Sequence, residues 1–172
     1  MRKVSVIASA SGSGKTTVGR ALAERLDVPF VELDSLVHGP NWAETPDDEL
    51  RGLLVPVLAR DGWVIDGGYS AKIGDLVLAQ ADTVVWIDLP VHVWLPRLAG
   101  RTVRRIRGHE EIWNGNRESL RGAVWGRDAL IPYALRSHFR RRRIYPARLA
   151  HYPVVRLRSQ SAVDAFLSAA AP

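Results

Sequence analysis

Lys3-Val4-Ser5-Val6-Ile7-Ala8-Ser9, continued by Ala10-Ser11-Gly12-Ser13-Gly14-Lys15-Thr16-Thr17, sets a short Val/Ile-rich run directly before a glycine loop and the start of a helix. The run is apolar enough for a buried strand and stops at residues that end one. The loop fits the phosphate-cradling pattern of Gly, four residues, then Gly-Lys-Ser/Thr, except that Ser9 stands where the first Gly belongs. Gly12 and Gly14 let backbone N–H groups turn inward around phosphate oxygens without a side-chain clash. A helix opening near Lys15 points its positive end and its unpaired N–H groups at the same anion. These parts predict a nucleotide site made of Ser11, Gly12, Ser13, Gly14, Lys15, Thr16 and Thr17. Lys15 is expected to reach the β- and γ-phosphates, and the Thr16 hydroxyl to ligate Mg²⁺.

Outward from the loop, the spacing of Val18, Leu22 and Leu26 predicts a helix from Lys15 to Leu26. Strands are expected from Phe30 to Leu33, Trp63 to Asp66, Thr83 to Leu89 and Val154 to Leu157. Ser35 to Thr45 reads as a loop, and Ser70 to Gln80 as a short helix or turn. Thr45-Pro46-Asp47-Asp48-Glu49 reads as a helix start, with Thr45 as N-cap and Pro46 at the first helical position, running to about Arg60. Pro90 opens a helix to about Arg105, Gly108 to Trp125 gives no clear pattern, and Arg127 to Ala150 is helical with Pro132 and Pro146 interrupting. A last helix covers Ala162 to Ala169. Strands alternating with helices predict one α/β domain with a parallel sheet covered on both faces, in three layers. Sites in such sheets lie beyond the carboxyl ends of the strands, where Ser9, Asp34, Asp66 and Asp88 all fall.

Composition narrows the classes. The chain has 172 residues, enough for one domain of ordinary size, and its 47% hydrophobic and 24% charged content is that of a globular protein. No apolar stretch approaches 18 residues, and Met1-Arg2-Lys3 leads into no small-residue cleavage site, so neither membrane span nor secretory signal is expected. There is no cysteine, which excludes disulfides and Cys-based zinc sites. The expected compartment is the cytoplasm. Residues 1–96 carry 8 Lys/Arg against 13 Asp/Glu, a net of −5, whereas residues 97–172 carry 16 against 5, a net of +11. Arginine forks grip phosphate at two points, so the second half points to a polyanion, either nucleotide phosphates or a nucleic-acid backbone.

Phosphoryl transfer assigns further roles. Asp66, followed by Gly67 and Gly68, is the favoured second magnesium contact; Asp88 is the other candidate unless it caps the helix opened by Pro90. Asp34 is placed to orient an acceptor hydroxyl or take its proton, or else caps a turn. Arg97 and Arg101, four apart on one helix face, are expected to stabilise charge on the transferred group. Arg117, Arg121, Arg127 and Arg136 lie in a segment, about residues 104–140, expected to close as a lid. The competing reading is a nucleic-acid-associated protein using Arg140-Arg141-Arg142-Arg143 with Phe139, Tyr145, Trp113 and Trp125 as stacking residues. The histidines show no metal-ligand spacing.

Ser11 to Thr17, Glu32-Leu33-Asp34-Ser35-Leu36 with Trp42, Trp63-Val64-Ile65-Asp66-Gly67-Gly68-Tyr69-Ser70 and Ala81 to Pro90 together resemble small bacterial P-loop proteins known as DNA topology modulation proteins, relatives of adenylate kinase. Leu157-Arg158-Ser159 and Ala165-Phe166-Leu167 fit the same pattern, and only about residues 106–125 fall outside it. The resemblance implies a P-loop kinase fold with a central five-stranded parallel sheet and a lid like that of nucleoside monophosphate kinases. It implies ATP and Mg²⁺, with Gly12 to Thr17 as the phosphate loop, Asp66 as the magnesium-water carboxylate, and Arg97 and Arg101 as the paired arginines on ATP phosphates. Adenylate kinases carry Gly-Phe-Pro-Arg after the strand-three Asp, where this chain has Gly67-Gly68-Tyr69-Ser70; the acceptor segment looks closer to shikimate or gluconate kinases. The expected partners are a nucleotide and a small-molecule acceptor, with a nucleic acid as the alternative and no membrane. The expected state is a monomer or homodimer.

Overall fold

The computed structural model describes residues 1–126 and 129–170. Five strands form one parallel sheet in the order β2-β3-β1-β4-β7, from β1 (Lys3–Ala8), β2 (Phe30–Glu32), β3 (Trp63–Asp66), β4 (Thr83–Ile87) and β7 (Val154–Leu157). β1 lies at the centre, pairing Val4 with Val64 on one side and with Thr83 on the other. Val4, Val6 and Ala8 face α1 (Lys15–Leu26) and α8 (Gln160–Ala169), packing on Val18, Leu22 and Val163. The alternate residue Ile7 packs on the opposite side, with Trp86, Tyr145 and Leu149. This period-two division, with both faces apolar, demands helices on each side and gives the expected three-layer α/β fold. On the second face, α3 (Asp47–Leu58) places Leu50, Leu54 and Leu58 against Trp63 and Ile65, and α4 (Ser70–Ile73) adds Ile73.

α5 (Val91–Arg107) and α7 (Leu130–Arg148) meet through Trp94, Leu98 and Ala134, with Ala10 of the glycine loop between them. Pro132 falls at the third residue of α7, where the backbone N–H has no intrahelical partner to lose, so it does not interrupt the helix. Pro146 lies in the last turn of α7, and the helix runs on to Arg148. Arg127, expected in the basic helix and the lid, lies outside the described residues. Two other expectations fail. Ser35 to Thr45 is no plain loop: α2 (Leu33–Val37) takes its first part and a 3₁₀ turn covers Pro40–Trp42. Thr45 is no N-cap, because Pro46 holds that position while the Thr45 hydroxyl donates to the Leu36 carbonyl at 2.6 Å. The unpatterned segment from Gly108 forms a hairpin, β5 (Glu111–Ile112) with β6 (Asn116–Arg117), followed by α6 (Leu120–Val124). Among the described residues no helix is long and apolar enough to cross a membrane.

Candidate active site

β1 ends where the strand order reverses, with β3 on one side and β4 on the other, and the glycine loop leaves from that point. Gly12 and Gly14 both hold left-handed backbone, at φ +81° and +83°. A Cβ on Gly12 would lie 2.8 Å from Leu98 Cβ and 2.9 Å from the Trp94 carbonyl oxygen, so the loop is pressed onto α5. Gly14 has open space around it. Ser13 is buried and its hydroxyl donates to the Ala10 carbonyl at 2.9 Å, tying the loop to itself. Ser11 is half-buried and Thr17 exposed at the first turn of α1.

Four of the predicted residues converge. The Lys15 ammonium forms an ion pair with Asp66 Oδ1 and stands 3.8 Å from Asp34 Oδ2. The Thr16 hydroxyl donates to Asp66 Oδ2 at 2.7 Å, with Glu32 Oε1 at 3.4 Å. Asp66 is fully buried, and burial pushes its carboxyl pKa up against Lys15 and Thr16, which hold it down. The Thr16 hydroxyl and the Asp66 carboxylate are hard oxygen donors of the kind Mg²⁺ takes when phosphates and water supply the rest of its shell. Among the described residues no three His, Cys, Asp or Glu side chains gather into a metal-ligand set.

The two arginines separate. Arg101 is half-buried, and its Nε is buried without a hydrogen-bond partner. Burial, and then Arg105, lower its pKa, while Glu118, Asp34 and Glu32 act in the other direction. An orphaned guanidinium nitrogen among these carboxylates fits an anion arriving at the loop. Arg97 is exposed and donates to Gln160 Oε1 at 3.0 Å, at the start of α8, away from the converging four. Arg117 pairs with Glu111 at 2.7 Å, within the hairpin. Arg121 is exposed on α6, and Arg136 is exposed on α7.

Asp88 does not cap α5, whose N-cap is Pro90. It is buried, accepts from the Ser9 hydroxyl at 2.7 Å and from Arg156 at 2.6 and 3.0 Å, and has Arg142 Nε 3.2 Å away. Ser9 in turn accepts from the Trp86 indole at 2.9 Å, and the Arg156 guanidinium covers that indole at 4.0 Å. The Ser at the first glycine position thus anchors the root of the loop. Arg141 donates to the Ala8 carbonyl at 3.2 Å. Of the four consecutive arginines Arg141 is half-buried at the end of β1 while Arg140, Arg142 and Arg143 are exposed, and Tyr145 is buried, whereas Phe139 and Trp125 are exposed.

Several residues of the site were not singled out in the sequence. Glu32 accepts from the Trp113 indole at 3.2 Å and from Arg20 at 3.3 Å. Tyr69 donates to Asp34 and lies 3.2 Å from His38 Nε2. His38 stacks on Trp113 with centroids 5.6 Å apart and meets Trp42 edge-on at 5.6 Å. Asn116, buried in the hairpin, donates to the Gly39 and Trp113 carbonyls and accepts from the Trp42 N–H at 2.8 Å. The hairpin is thereby docked on α2 and the 3₁₀ turn. The one signal for this cluster in the sequence is its density of aromatics, His38, Trp42 and Tyr69, beside the loop carboxylates.

The pattern of the shikimate kinase family matches residues 11–42, which span the loop, α1 and Asp34. A shikimate kinase of Sulfurihydrogenibium sp. is 32% identical over 101 residues, 51% of this chain and 61% of that one. The shikimate kinase of Corynebacterium efficiens is 30% identical over 117 residues, 61% of this chain and 69% of that one. The chain belongs to the shikimate kinase family. Solved members share its fold: the Bacteroides thetaiotaomicron shikimate kinase superposes with a TM-score of 0.58 at 16% identity, covering 96% of this chain and 93% of that one. A gluconokinase from Sinorhizobium meliloti gives 0.56 at 19% identity, covering 98% and 89%. These shikimate kinases and the gluconokinase are kinases, which bears out the phosphate-loop kinase part of the sequence resemblance.

Proposed function

We propose that the protein transfers the γ-phosphate of ATP, taken as its magnesium complex, to a hydroxyl of a small acceptor held between α2 and the hairpin. The observation that carries this reading is the Lys15 ammonium lying between Asp66 and Asp34 at the mouth of the glycine loop. When nucleotide binds, the loop N–H groups and Lys15 hold the phosphates, Thr16 and Asp66 hold the metal, and Arg101 lies against the transferred group. A magnesium ion held by Thr16 and Asp66 would supply charge neutralisation to the phosphates during transfer. Asp34 holds the acceptor hydroxyl in line and takes its proton as the acceptor oxygen bonds to the γ-phosphorus and the bond to ADP breaks. Arg97 flanks the nucleotide beside Gln160. About residues 104–140 serve as the lid.

A solved shikimate kinase of this fold, from Acinetobacter baumannii, was obtained in complex with shikimate. That supports a small hydroxylated acceptor, as does the short segment after Asp34. The alternative is a DNA-topology or other nucleic-acid role for the basic half, in which Arg141 and Arg142 are already engaged by the Ala8 carbonyl and Asp88. The test follows γ-labelled phosphate from MgATP into shikimate, sugar acids, nucleosides, nucleoside monophosphates and water, beside Lys15→Met and Asp34→Asn. Label in one acceptor, lost in both variants, is the expected result. Label in water alone overturns the reading.

A further inference from the structure

The chain of groups behind Asp34 has no task in the transfer as described. Asp34 accepts through Oδ1 from the Tyr69 hydroxyl and turns Oδ2 toward Lys15. A phenol has one proton, and here it is given to Asp34, so the 3.2 Å contact between the Tyr69 oxygen and His38 Nε2 requires the nitrogen to donate. Burial, then the Asp34 charge, push the Tyr69 hydroxyl pKa up and keep it a donor. The other His38 nitrogen, Nδ1, is buried without a hydrogen-bond partner, as suits the ring's unprotonated atom. The hairpin pins the same ring. Trp113 stacks on it at an interplanar angle of 28°, and the Asn114 amide donates to the His38 carbonyl at 2.7 Å.

We propose that Tyr69 and His38 are positioning residues for Asp34, with Trp113 tying them to the docked hairpin. His38 Nε2–H donates to Tyr69, and Tyr69 donates to Asp34 Oδ1. Only Oδ2, on the Lys15 side, is then left to receive the acceptor's proton. This rests on the role given to Asp34 above. Without the tyrosine hydroxyl the carboxylate is free to rotate and offer both oxygens to Lys15, turning its proton-accepting edge away from the acceptor. Without Trp113 the histidine loses the surface that holds its ring plane. The orientation of Asp34 thus depends on whether the hairpin is down.

Two readouts test this on the full chain. The first is the ¹⁵N shifts of the His38 ring, which need no turnover. The Nε2–H tautomer is expected in the wild type, and a mixture of tautomers in Tyr69→Phe. The second is transfer of γ-labelled phosphate from MgATP across the same acceptor panel. Tyr69→Phe and His38→Ala each are expected to lower kcat roughly 10-fold, with the KM for ATP within about twofold. The double variant is expected to lose no more than either alone, since the residues act in series. His38→Gln, whose amide N–H occupies the Nε2 position, restores most of the loss, and Trp113→Leu lowers kcat in the same sense. A wild-type Nδ1–H tautomer, losses that multiply, or His38→Gln as poor as His38→Ala each overturn the proposal. A protein that phosphorylates no acceptor yet keeps the Nε2–H tautomer overturns the kinase reading, and with it the role, while leaving the hydrogen-bond chain standing.

Discussion

Gly12→Ala and Gly14→Ala are nearly the same perturbation in backbone terms and different ones in packing. Both residues sit at left-handed φ, +81° and +83°, where a Cβ costs about 1–2 kcal/mol. Both substitutions also restrict the unfolded chain by the same few tenths to about 1 kcal/mol. The difference between them is therefore the packing term alone. At Gly14 nothing lies within 4 Å of the new methyl. At Gly12 it meets Leu98 Cβ at 2.8 Å and the Trp94 carbonyl at 2.9 Å, and a helix backbone cannot yield as the tip of a flexible side chain does. Forced overpacking of this kind costs about 1–3 kcal/mol. Urea unfolding at 25 °C is the assay. With a slope of about 2 kcal/mol/M, the Gly12→Ala midpoint is expected about 0.5–1.5 M below that of Gly14→Ala, with the slopes equal. Equal midpoints for the two variants would refute the claim that the phosphate loop is braced on α5.

Three other expectations follow from the same geometry. Lys15→Met removes the cation that holds the Asp66 pKa down, leaving only the Thr16 hydrogen bond against the upward push of burial. A carboxyl raised in the folded state contributes stability at low pH and loses it as pH rises from its unfolded value, so the variant's deficit in urea is expected to be larger at pH 7.5 than at pH 4.5. Asp88→Ala strands Arg156 over the Trp86 indole and leaves the buried Ser9 hydroxyl without its acceptor; a loss of about 1–3 kcal/mol is expected by thermal or urea unfolding. Asn116→Ala deletes two hydrogen bonds between the hairpin and the turn at Gly39–Trp42 and a third within the hairpin, to Trp113, so amide exchange at residues 39–42 and 111–117 is expected to speed up while the sheet stays protected.

The parts of this fold readable in sequence are those whose signal is local. The Val/Ile runs, the Val18-Leu22-Leu26 stripe and the Gly-Lys-Thr corner each carry their own periodicity or backbone demand, and α1, β3 and β7 fall on the residues expected. The turn of helix at Leu33–Val37 and the two-residue strands at Glu111 and Asn116 are too short to show a period. They stand on contacts between residues some 75 apart, such as Asn116 with Gly39 and Trp42. The same limit governs the site. Lys15 and Thr16 are legible because a phosphate loop needs them at fixed places, and Asp66 because two glycines follow it at a strand end. Asp88 is the less favoured carboxylate in sequence, and its ion pair with Arg156, 68 residues later, engages its charge. His38 and Tyr69 carry no motif; they belong to the site because α2 and the β3 loop bring them against Asp34.

That commitment of Asp88 also orders events on the ribosome. The root of the phosphate loop is anchored by Ser9 and Asp88, but the carboxylate is balanced by Arg142 and Arg156, which are translated last of the four. At about 5–20 residues per second, Asp88 waits roughly 3–14 s for Arg156 to be made. Through that interval β1, β3 and β4 exist as chain, yet the edge of β4 is unpaired and a charge destined for the interior has at most one of its two counterions, Arg142. A nascent polypeptide halted before residue 156 holds the whole loop sequence but not the clasp that seats it, so the ability to grip nucleotide is expected to arise only when β7 emerges.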